Sequence, residues 1–415
     1  GSAKKDYGCR PPNQPTQMRR TVDAPLLPDR LLVGYASWSE CDDRVIRAAR
    51  QGVNVIVWFA INFLANATGH ASIGGGPDLA CVRTVRASLE AEGLPTVHMI
   101  SLGGWNAPHP PDKLGSSAAW WEALSAWSRA GGHSPVFDGL DIDLEGSDAP
   151  APSEAAHVAA NTLSVPCLTL IGELSVLAKR NGWLVSLAPP QSYLTASTPA
   201  FNRTALQPAL GWPHSHFRYA GRNAYAFLLA KYGQAPGAGG RTFDWVFVQL
   251  YESFSLAHAQ LRRGEALGAI FAQILAGFAR GWRVDFGADA PLDFASTRVR
   301  LPPVAIVLGL ANGWAASRLA PRDARARCAD EQPVLFACPH AVREAHAALP
   351  AELQPRGFGF WSIASEGELT PCAAEQLAGD TADGSGARGA LDRARAPLSP
   401  LFLARALNDI LHTRT

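Results

Sequence analysis

Eight short apolar runs, rich in β-branched and aromatic residues, recur along the chain. They are LLVGYAS (31–37), VNVIVWFAI (53–61), TVHMISLGG (96–104), VFDGLDIDLE (136–145), WLVSLAP (183–189), WVFVQLYE (245–252), VAIVLGL (304–310) and GFGFWSI (357–363). Each has the length and composition of a strand. Between them lie stretches in which apolar residues return every three or four positions, the spacing of one helix face. These are residues 42–52, 78–93, 116–132, 170–182, 223–233, 266–282, 339–350 and 401–412. The third opens on Ser116 and Ser117, candidate N-caps, and closes on Gly131 and Gly132. Strands alternating with helices in this way predict an α/β protein built as a (β/α)8 TIM barrel. The strands are apolar almost throughout, as parallel strands covered on both faces must be. A doubly wound sheet is the alternative, but it would usually carry a Gly-rich phosphate turn after the first strand, and GYASWSE has none.

Three segments fall outside the pattern. Residues 1–27 are polar and Pro-rich, an N-terminal arm expected to cover the bottom of the barrel. Residues 234–242 (QAPGAGGRT) read as a loop, and residues 373–400 as a low-complexity loop before the last helix. The expected organisation is therefore an arm (1–27) and a single barrel domain (28–415). Only 28 residues, 311–338, separate Leu310 from the helix at Pro339, too few for a large insertion domain.

Composition narrows the function classes. The chain has 415 residues, 47% hydrophobic and 18% charged, which is ample for a large core. Its formal net charge of +1 gives no attraction for a polyanion, so no nucleic-acid partner is expected. No apolar run reaches membrane-spanning length, so no membrane partner is expected either. The seven cysteines, Cys9, Cys41, Cys81, Cys167, Cys328, Cys338 and Cys372, form no CxxC pair, which argues against a zinc ribbon or thioredoxin-like site. Asn66-Ala-Thr68 and Asn202-Arg-Thr204 are glycosylation sequons, and with the cysteines they point to a secreted protein. Gly1-Ser2 reads as a cloning remnant, which is compatible with a removed signal peptide. The eleven histidines show no HExxH motif, and HPPD (109–112) and HSH (214–216) read as loop residues, so no metal or other cofactor is expected.

The fourth run carries the chemistry. Asp141, Asp143 and Glu145 alternate with Leu140, Ile142 and Leu144. On a strand this period of two puts the three acids on one face, roughly 6–7 Å apart from one to the next. At the C-terminal end of the fourth barrel strand they would point into the barrel, where barrel enzymes place their chemistry. Three carboxylates in a confined space cannot all ionise without a large electrostatic cost, so the top one, Glu145, should have its pKa raised. A carboxyl that keeps its proton near neutrality can donate it to a leaving group. Asp138 has the other parity and is expected to be structural.

FDGLDIDLE resembles the DGxDxDxE signature of the family 18 glycoside hydrolases, the chitinase family, at every fixed position. SLGG (101–104) resembles the family's SxGG motif, and QLY (249–251) the QxY motif of its plant and fungal branch. Gly34-Tyr35 and Trp361 fit the first and eighth strands, and APPQ (188–191) is weakly similar to the fifth strand end of the plant-type branch. Glu252 departs from the MxYD motif of the bacterial and animal branch. The resemblance covers roughly residues 30–412.

It implies retaining hydrolysis assisted by the substrate's own 2-acetamido group, which serves as nucleophile in place of a protein carboxylate. Glu145 would be the acid and then the base. Asp143 would hold the acetamido N–H, and Asp141 would share a proton with Asp143. Tyr251 would orient the acetamido carbonyl, and Trp361 would floor the −1 sugar. Tyr35 and Ser101 would hydrogen-bond Asp141, which otherwise would be buried unpaired. Gln249 would support the −1 sugar or Tyr251, Gly103 and Gly104 would keep backbone bulk away from the sugar, and Trp105 would line a subsite. The implied partner is chitin or another N-acetylglucosamine oligosaccharide, and a monomer is expected. Two further readings stay open: an endo-β-N-acetylglucosaminidase acting on N-glycans, and a non-catalytic chitin-binding lectin on the same barrel.

Overall fold

Strands with apolar side chains on both faces need cover on both, and a sheet closed inside a ring of helices supplies it. The computed structural model describes residues 27–38, 40–111, 115–147, 149–204, 222–235, 240–252, 255–316, 335–370, 372 and 398–412. In it the strands are β1 (Leu31–Ala36), β2 (Val55–Ala65), β3 (Val97–Gly104), β4 (Gly139–Leu144), β5 (Leu184–Leu187), β6 (Trp245–Gln249), β7 (Ile306–Ala311) and β8 (Gly357–Trp361). Each pairs in parallel with the next in chain order, and β8 returns to β1 in the register Leu31↔Gly357. Helices α1 (Asp43–Arg50), α2 (Leu79–Ala91), α3 (Ser117–Arg129), α4 (Val165–Arg180), α5 (Ala226–Tyr232), α6 (Leu267–Arg280), α7 (Pro339–Ala347) and α8 (Leu403–His412) follow the strands in turn. The protein is a (β/α)8 barrel. Of the segments set apart above, 1–26, 236–239 and 373–397 lie outside the described residues, as do Cys9, Cys328 and the HSH at 214–216.

Alternate strand positions build two cores. Leu31, Val33, Val55, Val57, Val97, Met99, Trp245, Phe247 and Val307 fill the barrel. Their neighbours of opposite parity, among them Leu32, Ile56, Ile100, Leu140, Ile142, Val246 and Leu308, meet the helices. The Phe247 ring has its room because β7 and β8 carry glycines beside it. A Cβ at Gly309 or Gly359 would come within 2.5 or 2.6 Å of that ring. Burying such a side chain contributes about 1.5–3 kcal/mol. Helix starts follow local rules: Asp42, Ser116 and Ser164 each accept a hydrogen bond from a first-turn N–H, and a proline stands in the first turn of α4.

Among the elements beyond the sequence pattern, three stand out. β2 runs on past the barrel and returns as an antiparallel strand, Ala71–Gly75. Short helices Glu154–Ala160 and Leu256–Arg262 precede α4 and α6. All three are too short for periodicity to register. Asn66 sits exposed at the tip of the β2 hairpin, where its Oδ1 accepts from the N–H groups of Thr68 and His70. Asn202 is exposed too, and its Oδ1 accepts from Thr204 N–H.

Two disulfides pin the rim. Cys41–Cys81 ties the loop after β1 to α2, and Cys338–Cys372 ties the start of α7 to the segment after β8. Each closes a loop of a few tens of residues, a constraint worth about 2–4 kcal/mol. Cys167 is buried in α4. No helix among the described residues is long and apolar enough to cross a membrane.

Candidate active site

β4 lies between β3 and β5 in a register that sets Ser101, Asp141 and Ser186 side by side. Asp141 is fully buried and bound by three hydroxyls. Tyr35 Oη (3.1 Å) and Ser101 Oγ (2.9 Å) donate to its Oδ2, and Ser186 Oγ (2.5 Å) donates to its Oδ1. Burial raises this carboxyl's pKa, and the three donors oppose that rise.

One step up the strand, Asp143 is nearly as buried. Its carboxyl lies within hydrogen-bond reach of that of Glu145, and the two titrations are linked. Gln249 Nε2, from β6, donates to Asp143 Oδ1 at 2.8 Å and to the Ala188 carbonyl at 2.8 Å, and reaches Glu145 Oε1 at 3.4 Å. An amide has two protons, so the short contacts are the full bonds and the long one is shared. Gln249 thus holds the acids themselves and makes no bond to Tyr251 among those found. Burial first, then the charges of Glu145 and Asp141, push Asp143 well above the usual carboxylate range. Glu145, half-buried at the mouth, is pushed up to about 7, chiefly by burial.

Tyr251 follows β6, and Trp361 ends β8. Burial and the nearby carboxylates raise the Tyr251 phenol well above its usual value, so it stays a neutral O–H. Trp361 is half-exposed, with its ring 4.7 Å from Phe59 and 5.9 Å from Tyr35, centroid to centroid. Its carbonyl accepts from Asn312 N (3.0 Å) and Trp314 Nε1 (2.5 Å), while Asn312 Nδ2 joins the Ser362 carbonyl to Glu366. Trp105 stands at the end of β3, partly exposed. Asp138, just before β4, pairs with Arg86 at 2.8 Å and accepts from His98 N–H, a structural contact at the opposite end of the strand.

Gly103 and Gly104 both have positive φ, and a Cβ would come within 2.5 Å of the Asp143 carbonyl at Gly103 and 2.0 Å of the Phe59 ring at Gly104. No side chain fits at either position without displacing these groups.

No family model matches the chain, and no curated protein matches it. Among solved structures it is similar to the C-terminal domain of ChiA from Legionella pneumophila, at 15% identity over 80% of this chain and 93% of that one, with a TM-score of 0.47. It is also similar to a class V chitinase from Pseudomonas fluorescens (11% identity, 80% and 95% covered, TM-score 0.48). A third is the spore cortex-lytic enzyme SleL of Bacillus megaterium (12% identity, 80% and 70% covered, TM-score 0.44).

Two further groups stand close to the site residues. Trp38, after β1, is 60% exposed and stands edge-on to Phe59 (4.9 Å) and Trp361 (6.3 Å), extending the aromatic floor outward. Glu252 turns both carboxylate oxygens to Ser192, accepting from its N–H (2.5 Å) and its hydroxyl (2.8 Å). Burial pushes Glu252 up to about 8, with the charge of Glu145 adding to it. Among the described residues no three His, Cys, Asp or Glu are grouped to hold a metal.

Glu145, Glu252 and Glu366 all have raised values, about 7, 8 and 7. The folded chain therefore keeps protons that the unfolded chain has released, and stability must fall as pH rises through those values. The buried His98 and His109 have lowered values and act in the opposite sense, but only below about pH 6.5, the ordinary histidine value. Between about pH 7 and 9 the carboxyls dominate, and the thermal midpoint should fall. Glu252→Gln should flatten that decline. A midpoint constant over this range, measured by calorimetry, would contradict the assignment.

Proposed function

We propose that this chain is a glycoside hydrolase of the family 18 type, a chitinase-like endo-glycosidase cleaving β-1,4 bonds between N-acetylglucosamine units with retention. One observation carries the reading: three carboxylates stacked on one barrel strand, each with a different environment. The deepest is bound by three hydroxyls, the middle one lies against the top one, and burial pushes the top one up to about 7 at the open mouth. Glu252 has both oxygens turned to Ser192 and is not aimed as a nucleophile. The resemblance of FDGLDIDLE to the family 18 signature implies the substrate's acetamido oxygen as the nucleophile.

In the first step that oxygen attacks C1, and Glu145 protonates the departing glycosidic oxygen. Asp143 swings from Glu145 to the acetamido N–H as positive charge builds on the oxazolinium ring. Its negative charge and hydrogen bond stabilise the cation. Asp141 takes up or releases the proton that this swing requires. Tyr251, kept neutral, donates to the acetamido carbonyl and holds it beneath C1. Trp361 floors the −1 sugar, and Phe59 and Trp38 carry the aromatic surface outward, where apolar sugar faces stack. In the second step Glu145, now a carboxylate, takes a proton from water, which opens the oxazolinium from the face the leaving group vacated. Two displacements restore the β configuration. The two disulfides suit an extracellular setting, and the QxY motif, with Gln249 on the acids, supports the plant and fungal branch.

The test is product chemistry. N-acetylglucosamine oligomers should be cut internally, with intermediate lengths appearing first, and NMR of fresh product should show the β anomer. Fully deacetylated oligomers should not react, because they lack the nucleophile. A first-formed α anomer, or equal turnover of the deacetylated chain, would sink the proposal. A high-mannose glycopeptide run in parallel and analysed by mass separates chitin from N-glycan as the substrate.

A further inference from the structure

The segment that carries Glu145 leaves β4 and is held on both sides by side chains from elsewhere. Tyr225 Oη accepts from Leu144 N (2.5 Å) and donates to Leu144 O (2.9 Å). Tyr193 Oη accepts from Gly146 N (3.1 Å), and Asn106 N donates to Gly146 O (3.1 Å). Asn161 grips both ends of Ser147, accepting from its N–H (2.6 Å) and donating to its carbonyl (3.0 Å). A groove of about 450 Å³, lined by Asn106, Pro108, His109, Ser147 and Thr162, runs along this loop. These hydrogen bonds tie the stretch at Leu144, Gly146 and Ser147.

The carbonyl of Glu145 itself belongs to His109. Its Nε2 lies 2.7 Å from Glu145 O, and its Nδ1 lies 3.3 Å from Thr162 O. A carbonyl oxygen has no proton to give, so a ring nitrogen at 2.7 Å must be the donor. Burial lowers the ring's pKa, and the contacts to the two carbonyls oppose that fall. The contact to Glu145 is the shorter of the two, and the looser contact to Thr162 is secondary.

We infer that His109 is a positioning residue for the acid: through its Nε2–H bond to the Glu145 carbonyl it sets the height and direction of the carboxyl at the barrel mouth. The inference rests on the reading of Glu145 as general acid. Substitution should act on turnover and not on binding, since His109 bonds the backbone behind the acid and not the aromatic floor.

Two amide replacements separate this role from a merely structural one. The side-chain nitrogen of Gln sits where Nε2 does, and that of Asn where Nδ1 does. His109→Ala should lower kcat on an N-acetylglucosamine oligomer by roughly 10–100-fold, the cost of a misplaced reacting group, with KM largely unchanged. His109→Gln should restore most of kcat, and His109→Asn little of it. Hydrogen exchange at the amides of Gly146 and Ser147 should quicken in the Ala and Asn proteins and stay slow in the Gln protein. Equal behaviour of Asn and Gln, or wild-type kcat and exchange in the Ala protein, would overturn the assignment. If the wild-type protein hydrolyses no such oligomer, the functional reading fails, and the exchange pattern still decides whether His109 holds this segment.

Discussion

Glu145→Gln is expected to lower hydrolysis of N-acetylglucosamine oligomers by roughly 10²–10⁴-fold or more, the range for loss of a positioned general acid. The amide nearly matches the carboxyl in shape and can keep the contact with Gln249 and Asp143, but it has no proton acidic enough for a leaving sugar oxygen. Binding should survive, because the aromatic floor of Trp361, Phe59 and Trp38 does not depend on that proton. Titration calorimetry with a chitin oligomer should therefore give an affinity within a few-fold of wild type. The wild-type pH profile belongs to the same expectation. With the Glu145 carboxyl pushed up to about 7 by burial, kcat/KM should decline as pH rises above that value, because the acid then enters the reaction without its proton. Wild-type turnover by the Gln protein, or a profile flat through about pH 9, would assign the proton to another group. Retained binding with lost turnover would also separate an enzyme from a lectin on this barrel.

Much of this site is legible along the chain because β-structure repeats every two residues. Acids alternating with Leu140, Ile142 and Leu144 fix which face of β4 looks inward before any coordinates exist. Tyr35 and Ser101, carried by first- and third-strand motifs, also stand where the resemblance puts them, on Asp141. Ser186 is visible too, as the polar residue inside the apolar WLVSLAP, but polarity alone does not say what it binds. Gln249 stands out in its motif while its partner does not: the amide reaches across the barrel to Asp143, 106 residues earlier, and only the closed register brings β6 that close. Tyr193 and His109 lie outside the periodic runs and Tyr225 caps the start of α5, and their targets are backbone atoms that have no residue-specific signature. Glu252 is visible as a departure without a consequence. Its consequence depends on Ser192, 60 positions away, which takes both of its oxygens.

Asp143→Asn should also cut turnover, by roughly 10²–10³-fold, the scale for removing one charge-stabilising group at a reacting centre. The defect differs in kind from the loss of the acid. The asparagine amide can still donate or accept a hydrogen bond, but it carries no negative charge to set against the oxazolinium. In the proposed mechanism it would also end the proton sharing with Glu145 and Asp141. An activated phenol as leaving group distinguishes the two losses, since it departs with little protonation. It should rescue Glu145→Gln substantially in the first step and rescue Asp143→Asn much less, because the cation still forms beside a neutral amide. Equal rescue of both proteins by the activated substrate would mean that the acids on β4 have been given each other's roles.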